Sequence, residues 1–295
     1  MLIRFACLLF SALLLLANSS CQKEFSIESG NTPGGTVLAN NSADTIYIER
    51  IVRTKYNGTN YDTVMITQFT YDSLRRMKGW RDYPVLAGYG YPESMEYGYK
   101  GTDTLPSTAR YTTKATGSAD SVIQDYYFYY DDLTRKIKDS VHKINTVAPQ
   151  HSGWVDHFYY LPGKSVTVGR YEDPNTVYLY RDTSVLDAGN NLVEAKFYSG
   201  PSQDYTMHCN FQFDNGNHIF SKCNVRNAVP KSIVGTLAHK YSGSNNILYQ
   251  KIDYFTTYIE VSNTITYNRY NFPATIEGMY NNEQLKMFFY YRSLQ

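Results

Sequence analysis

Twelve residues of this chain are written twice. FTYDSLRRMKGW runs from Phe69 to Trp80, and FYYDDLTRKIKD runs from Phe128 to Asp139. Both copies read Phe, any residue, Tyr-Asp, any residue, Leu, any residue, Arg. A phrase that recurs within one chain marks a supersecondary unit that recurs in space, because each unit buries its apolar face against the next. Looser echoes follow in Phe211–Ile219, in Tyr178–Tyr180 leading to Asp187–Val193, and in His239–Tyr241 leading to Ser242–Leu248. Tyr267–Pro273 and the closing Phe288–Tyr291 repeat it again. The anchoring aromatics fall near 71, 99, 130, 160, 180, 213, 241, 270 and 291, mostly 28 to 33 residues apart with two gaps nearer 20.

Between the echoes, aromatic and polar residues alternate at period two, the signature of a half-buried strand. Asp-Asn-Gly-Asn and Ser-Gly-Ser-Asn-Asn break the runs as hairpin turns, since Gly and Asn reach positive φ cheaply. The chain has 30 Tyr, 14 Phe and 2 Trp, and a tyrosine suits a surface that is dry on one side and wet on the other. The expected fold is therefore all-β: a long antiparallel meander of repeated hairpins forming a curled sheet, an open barrel or a sandwich. Each phrase reads as a strand, a turn and a returning strand. Its aromatic pair lies on one face and Asp opens the turn by bonding its own backbone. Leu is expected to re-enter the core and Arg to return to solvent. The pattern resembles the YD repeats of the Rhs family, and more closely Bacteroidota lipoproteins with degenerate YD-like hairpins. The resemblance spans roughly residues 45–295, carries no shell-closing core or toxin region, and implies no encapsulating function.

The first 20 residues read as an address. Arg4 precedes an apolar run from Phe5 to Ala17, shorter than the roughly 20 residues a bilayer span requires, which is the form of a secretory signal. Cys21 after small polar residues resembles the lipobox of bacterial lipoproteins, with Asn18 where a Leu is usual. The resemblance implies lipidation of Cys21; a plain secretory cut after Ser19 is the other reading. Residues 21–44 are rich in Gly, Ser, Asn and Thr without apolar periodicity, a flexible tether reaching roughly 25–30 Å. Cys21-Gln22-Lys23-Glu24 looks like Bacteroidota lipoprotein starts, which implies an outer-membrane, cell-surface location. One β domain is expected over 45–295.

With Cys7 in the signal and Cys21 at the lipid site, Cys209 and Cys223 remain. A three-residue loop at Asn215-Gly216-Asn217 would pair Cys209 with Cys223, Met207 with Val225 and Phe213 with Ile219, so a disulfide is expected in an oxidising envelope. Two buried free thiols are the alternative. Ligation of a metal by these Cys with His208 or His218 lacks further ligands at zinc spacing.

The sequence carries no HExxH, no GxSxG, no P-loop and no GxGxxG after a strand. No catalytic residues, cofactor or metal are expected, and a balance of 28 basic against 27 acidic residues gives no field for nucleic acid. Acid pairs such as Asp131-Asp132 read as turn chemistry. The most ligand-like segment is His151–Tyr160, with Trp154, His157 and Tyr159 as candidate ligand-binding residues; the other reading has Trp154 plug one end of the sheet. Two functions fit: a non-enzymatic envelope lipoprotein whose Tyr-rich sheet is an interaction or structural surface, or a glycan- or peptide-binding component of an outer-membrane nutrient-uptake system. The partners expected are the membrane, through the anchor, and a glycan or envelope protein.

Overall fold

The computed structural model describes residues 46–87, 91–114, 121–145, 151–161, 164–172, 177–188, 191–199, 204–220, 245–254, 257–280 and 283–293. Among them run sixteen strands and no helix. They are β1 (Ile46–Tyr56), β2 (Tyr61–Tyr71), β3 (Met77–Pro84), β4 (Glu93–Gly98), β5 (Thr108–Lys114), β6 (Ser121–Tyr130), β7 (Lys136–Asn145) and β8 (His151–Leu161). Then come β9 (Lys164–Glu172), β10 (Val177–Leu186), β11 (Leu192–Ser199), β12 (Tyr205–Phe213), β13 (Ile247–Tyr254), β14 (Thr257–Tyr267), β15 (Pro273–Tyr280) and β16 (Glu283–Ser293). Each pairs antiparallel with the next, as the alternation foretells. The curl runs to completion: β16 returns to β1, from Ile46 opposite Ser293 to Lys55 opposite Leu285, and makes a closed barrel. Closure satisfies the N–H and C=O groups that two free edges would leave exposed.

Register partners on neighbouring strands share a face, so one inward residue fixes the next around the wall. Phe69, Trp80, Met95 and Tyr111 are successive partners, and all four belong to or pack on the main core, with Ile48, Tyr126, Phe128 and Phe289. A second cluster holds Leu192, Ala195, Cys209, Phe211 and Ile252 from β11 to β13. The outward positions between them carry exposed Arg81, Glu96, Arg110, Arg181 and Glu260. Several pair across the outer wall, as Arg110 does with Asp125 at 2.7 Å and Lys286 with Glu277 at 3.0 Å. The same wall also exposes Tyr83, Tyr127, Tyr129, Tyr159, Leu179 and Tyr258, so charged and aromatic side chains are mixed on it.

All the phrase turns lie at one rim, the lower one, where the first and last strands also begin and end. The turn is the same each time. Asp72 accepts backbone hydrogen bonds from Leu74 and Arg76, and Asp131 from Leu133 and Arg135; Asn268 accepts them from Tyr270 and Phe272 in the same way. The fourth turn residue has positive φ: 62° at Arg75, 61° at Thr134 and 61° at Asn271. Arg76 and Arg135 reach back to their own Asp at 2.7 and 2.8 Å. Each then lies over the tyrosine that ends the next downward run, Tyr99 at 4.2 Å and Tyr160 at 4.9 Å. The phrase thus links one hairpin to the next.

The tyrosines complete the link. Tyr71 donates its hydroxyl to the Ile48 carbonyl at 2.8 Å, Tyr99 to Met77 at 2.7 Å and Tyr130 to Pro106 at 3.0 Å. Tyr160 donates to Lys136 at 3.0 Å and Tyr291 to Pro273 at 2.8 Å. In every case a ring at the bottom of a downward strand reaches the carbonyl near the foot of the strand before it. Two sequence expectations are corrected here. Leu74 and Leu133 do not re-enter the core; they are the turn tips, 54% and 69% exposed. Arg76 does not return to solvent, because Asp72, Tyr99 and the Gly101 and Asp103 carbonyls hold it, whereas Arg135 of the second copy does. The turn spends five residues, one more than a tight hairpin, which carries Leu past the strand ends.

The hairpin expected over 209–223 is not formed either. After Phe213, Asp214 turns onto Asn246 instead, and β12 pairs with β13, Cys209 facing Ile252. Residues 214–220 fold across the lower rim, where Ile219 and Phe220 pack on the main core and the Phe220 ring lies 5.7 Å from Phe69. Asn217 is bonded to the Tyr270 and Asn271 carbonyls.

Replacing Asp72 with Ala is expected to cost about 1 kcal/mol in urea unfolding, as for other lost capping bonds. Thr134→Gly is expected to gain about 0.5 kcal/mol, since a β-branched residue is held at positive φ. Unchanged stability in both would contradict the turn geometry.

Candidate functional site

Two places gather side chains that can meet a partner. The first is the outer face of β6 to β8 near the lower rim. Alternation turns Tyr127 and Tyr129 outward from β6, and His157, Tyr159 and Leu161 outward from β8. Tyr129 is the register partner of Lys138, and Lys138 of His157. The Lys138 ammonium stands 5.0 Å over the Tyr129 ring. Tyr127, Tyr129 and Tyr159 are 46%, 46% and 55% exposed, a high value for rings of this size.

Trp154 does not join them. Being an odd number of residues from His157 and Tyr159, it points through the wall into the barrel. There it packs edge-on against Tyr126, with centroids 6.2 Å apart and planes at 81°. The three sequence candidates therefore divide, two outside and one inside. The outer set gains Tyr127, just before the second phrase, and Tyr129 and Lys138 within it.

The second place is the inside of the upper mouth. Thr67, Asp82 and Glu93 are successive register partners on β2, β3 and β4, all inward. Asp82 accepts a short hydrogen bond from the Thr67 hydroxyl. Arg53 donates to Thr67 at 2.9 Å and lies 3.5 Å from Asp82. One step deeper the row becomes Trp80, Met95 and Tyr111, with Trp80 and Tyr111 centroids 6.5 Å apart. The Tyr111 hydroxyl bonds Glu93. Burial pushes the Glu93 carboxyl up to about 7, and the Asp82 charge adds to it against the pull of Tyr111 and Arg53. Burial, then Glu93 itself, also raises Tyr111. Arg53 balances one carboxylate of the pair, so near neutral pH the mouth carries little net charge. Sequence reasoning missed these residues, although a polar residue at an inward position of a known register is a readable signal.

Further in, Lys136 is held by Asp139 at 2.7 Å and lies 4.5 Å over the Phe158 ring, while Tyr180 donates to Asp156. That set is built among its own members. Cys209 is a buried free thiol, its ionisation pushed up by desolvation, so the expected bridge is absent; Cys223 and Cys21 lie outside the described residues. His208 bonds Glu194 on the outer wall at 2.8 Å. No trio of His, Cys, Asp or Glu among the described residues is arranged to hold a metal ion.

No family model matches the chain, and no curated protein matches it. Among solved structures, the chain is similar to a porin-like protein from Bacteroides vulgatus at 12% identity and a TM-score of 0.48, over 84% of this chain and 99% of that one. It is similar to a second porin-like protein, from Bacteroides uniformis, at 12% identity and 0.49, over 83% and 98%. The YD-like resemblance stands on the phrases alone.

Glu93 makes stability depend on pH. Its folded pKa of about 7 lies above the ordinary 4.5, so the folded state holds the proton more tightly. That contribution is complete below about pH 4.5 and is lost as pH rises through 7, a loss of about 3 kcal/mol at pH 8. Glu93→Gln stays neutral and is expected to flatten this slope, its advantage in urea midpoint over the wild type growing from pH 5 to pH 8. Parallel pH profiles would contradict it.

Proposed function

We propose that this protein is a non-enzymatic, lipid-anchored barrel of the cell envelope that uses its outer tyrosine face as an interaction surface. The observation that carries the reading is the polarity of the wall. Arg81, Arg110 and Arg181 stand outside it, and an Arg or Lys on a lipid-facing wall costs about 2–4 kcal/mol at mid-depth. Such a barrel is attached to a membrane rather than inserted in one, which agrees with a signal, a lipobox-like Cys21 and a polar tether. The first strand enters at the lower rim, where Leu74 and Leu133 are exposed. The tether therefore joins the barrel at its lower rim. On the side of the barrel, Tyr127, Tyr129 and Tyr159 offer large rings with polar tips and few rotatable bonds, the residue type enriched where proteins meet partners. The surface and the anchor both fit an outer-membrane, outward-facing location.

Palmitate-analogue labelling is expected in the wild type and absent from Cys21→Ala. In whole cells, a photo-cross-linking residue at 129 is expected to capture an envelope partner, and one at exposed His142 higher on the same wall is not. An unlabelled wild type would remove the anchor; equal capture from both positions, or none, would remove the surface.

A further inference from the structure

Three exposed leucines stand at the lower rim. Leu74 and Leu133 are the tips of two Asp turns, and Leu161, 57% exposed, ends β8 at the same level. Exposed Tyr159 stands two residues above Leu161 on the outer wall. Apolar side chains held in water at a turn tip gain free energy wherever an apolar phase covers them. The charges beside the tips are already paired, Asp72 with Arg76 at 2.7 Å and Asp131 with Arg135 at 2.7 Å. What the two turns leave over is exposed Arg75 and exposed Asp132, one of each sign. The turn between β4 and β5 adds exposed Lys100 and Asp103, again one of each. This part of the rim is therefore apolar at its tips and electrically neutral around them.

We infer that the lower rim docks on the lipid bilayer, with Leu74, Leu133 and Leu161 dipping into the interface of a zwitterionic leaflet. Tyr159 then lies at headgroup level, where an apolar ring with a polar tip is favoured. This orientation rests on the lipid-anchored reading above. The place where the tether joins selects the membrane as the occupant. The tether expected over residues 21–44 meets β1 at this rim and reaches roughly 25–30 Å. A rival apolar patch, Tyr83, Val85, Leu86 and Tyr91, is exposed at the upper end. To set that end on the bilayer, the tether would first run back along the 11 residues of β1. These cover about 25 Å of wall height, at a rise of about 3.3 Å per residue and a tilt of about 40°. That consumes the tether's reach, whereas docking by the lower rim leaves it slack.

The test places the chain, purified from cell membranes, on vesicles of phosphatidylcholine, with an environment-sensitive fluorescent amino acid at 133, 161 or 85. Doxyl-labelled phosphatidylcholine quenches only a probe that enters the lipid layer. Probes at 133 and 161 are expected to shift to the blue and to lose emission with the doxyl lipid. The probe at 85, in place of a side chain as exposed as Leu161, is expected to do neither. Leu74→Ser combined with Leu133→Ser is expected to weaken docking about tenfold, read as lost quenching at 161. Circular dichroism checks that this variant is folded. Flotation of the vesicles reads the anchor separately: the wild type and the double leucine variant are expected to float, and Cys21→Ala is not. Flotation without quenching at 133 and 161 overturns the docking and leaves the anchor standing. So does quenching at 85 equal to or above that at 133, or full quenching at 161 in the folded double variant. A wild type that does not float removes the anchor and the docking together.

Discussion

A tyrosine hydroxyl on a backbone carbonyl, repeated around one rim, is the contact on which the rest of this barrel depends. The first such bond joins Tyr71 to Ile48 and the last joins Tyr291 to Pro273. Each contributes about 1 kcal/mol, but its geometric effect is larger. It ties the foot of a downward strand to the foot of the strand before it, at the level where the Asp turn leaves the sheet. Register in a hairpin is fixed by its turn, and a slip of one residue would reverse the faces of a whole strand. The same contact at several positions keeps inward residues inward, and so the wall stays wet outside and apolar within.

That sorting of faces is what gives the two candidate surfaces their chemistry. The outer face of β6 to β8 carries Tyr129, Lys138 and His157 in one row, reachable from solvent without any opening of the barrel. The upper end carries acids and an arginine above aromatic rings, in a setting where burial, with the Asp82 charge, moves Glu93 toward neutral pH. Both surfaces come from side chains one residue apart in phase. The lower rim carries the Asp turns and the 214–220 segment, with Phe220 against Phe69.

The fold was legible where the period was strict. Tyr-Asp at 71–72 and 130–131 foretold strand, turn and strand, and the aromatic spacing foretold a meander. Closure was not legible, because nothing in the spacing of β1 and β16 distinguishes strands that meet from strands that end as edges. Leu74 was misread because an apolar residue after a turn looks like the start of a core face; a five-residue turn with its fourth residue at positive φ sets it outside. The Cys209–Cys223 pairing failed because Asn-Gly looked sufficient for a tight hairpin, whereas Asp214 and Asn246 close a far longer connection. In the candidate segment, counting parity from Trp154 to His157 and Tyr159 would have parted them from sequence alone. Asp82 and Glu93 needed the register, which no local pattern supplies.

The account stands or falls on a sheet that closes on itself and is held in phase at its lower rim. Amide hydrogen exchange on the purified chain measures this directly, strand by strand. In a closed barrel, β1 (Ile46–Tyr56) and β16 (Glu283–Ser293) bond on both sides, so their amides are protected to the same degree as those of β6 and β7. If every second amide of β1 and of β16 exchanged as fast as a free edge, the sheet would be open and the central claim would fail.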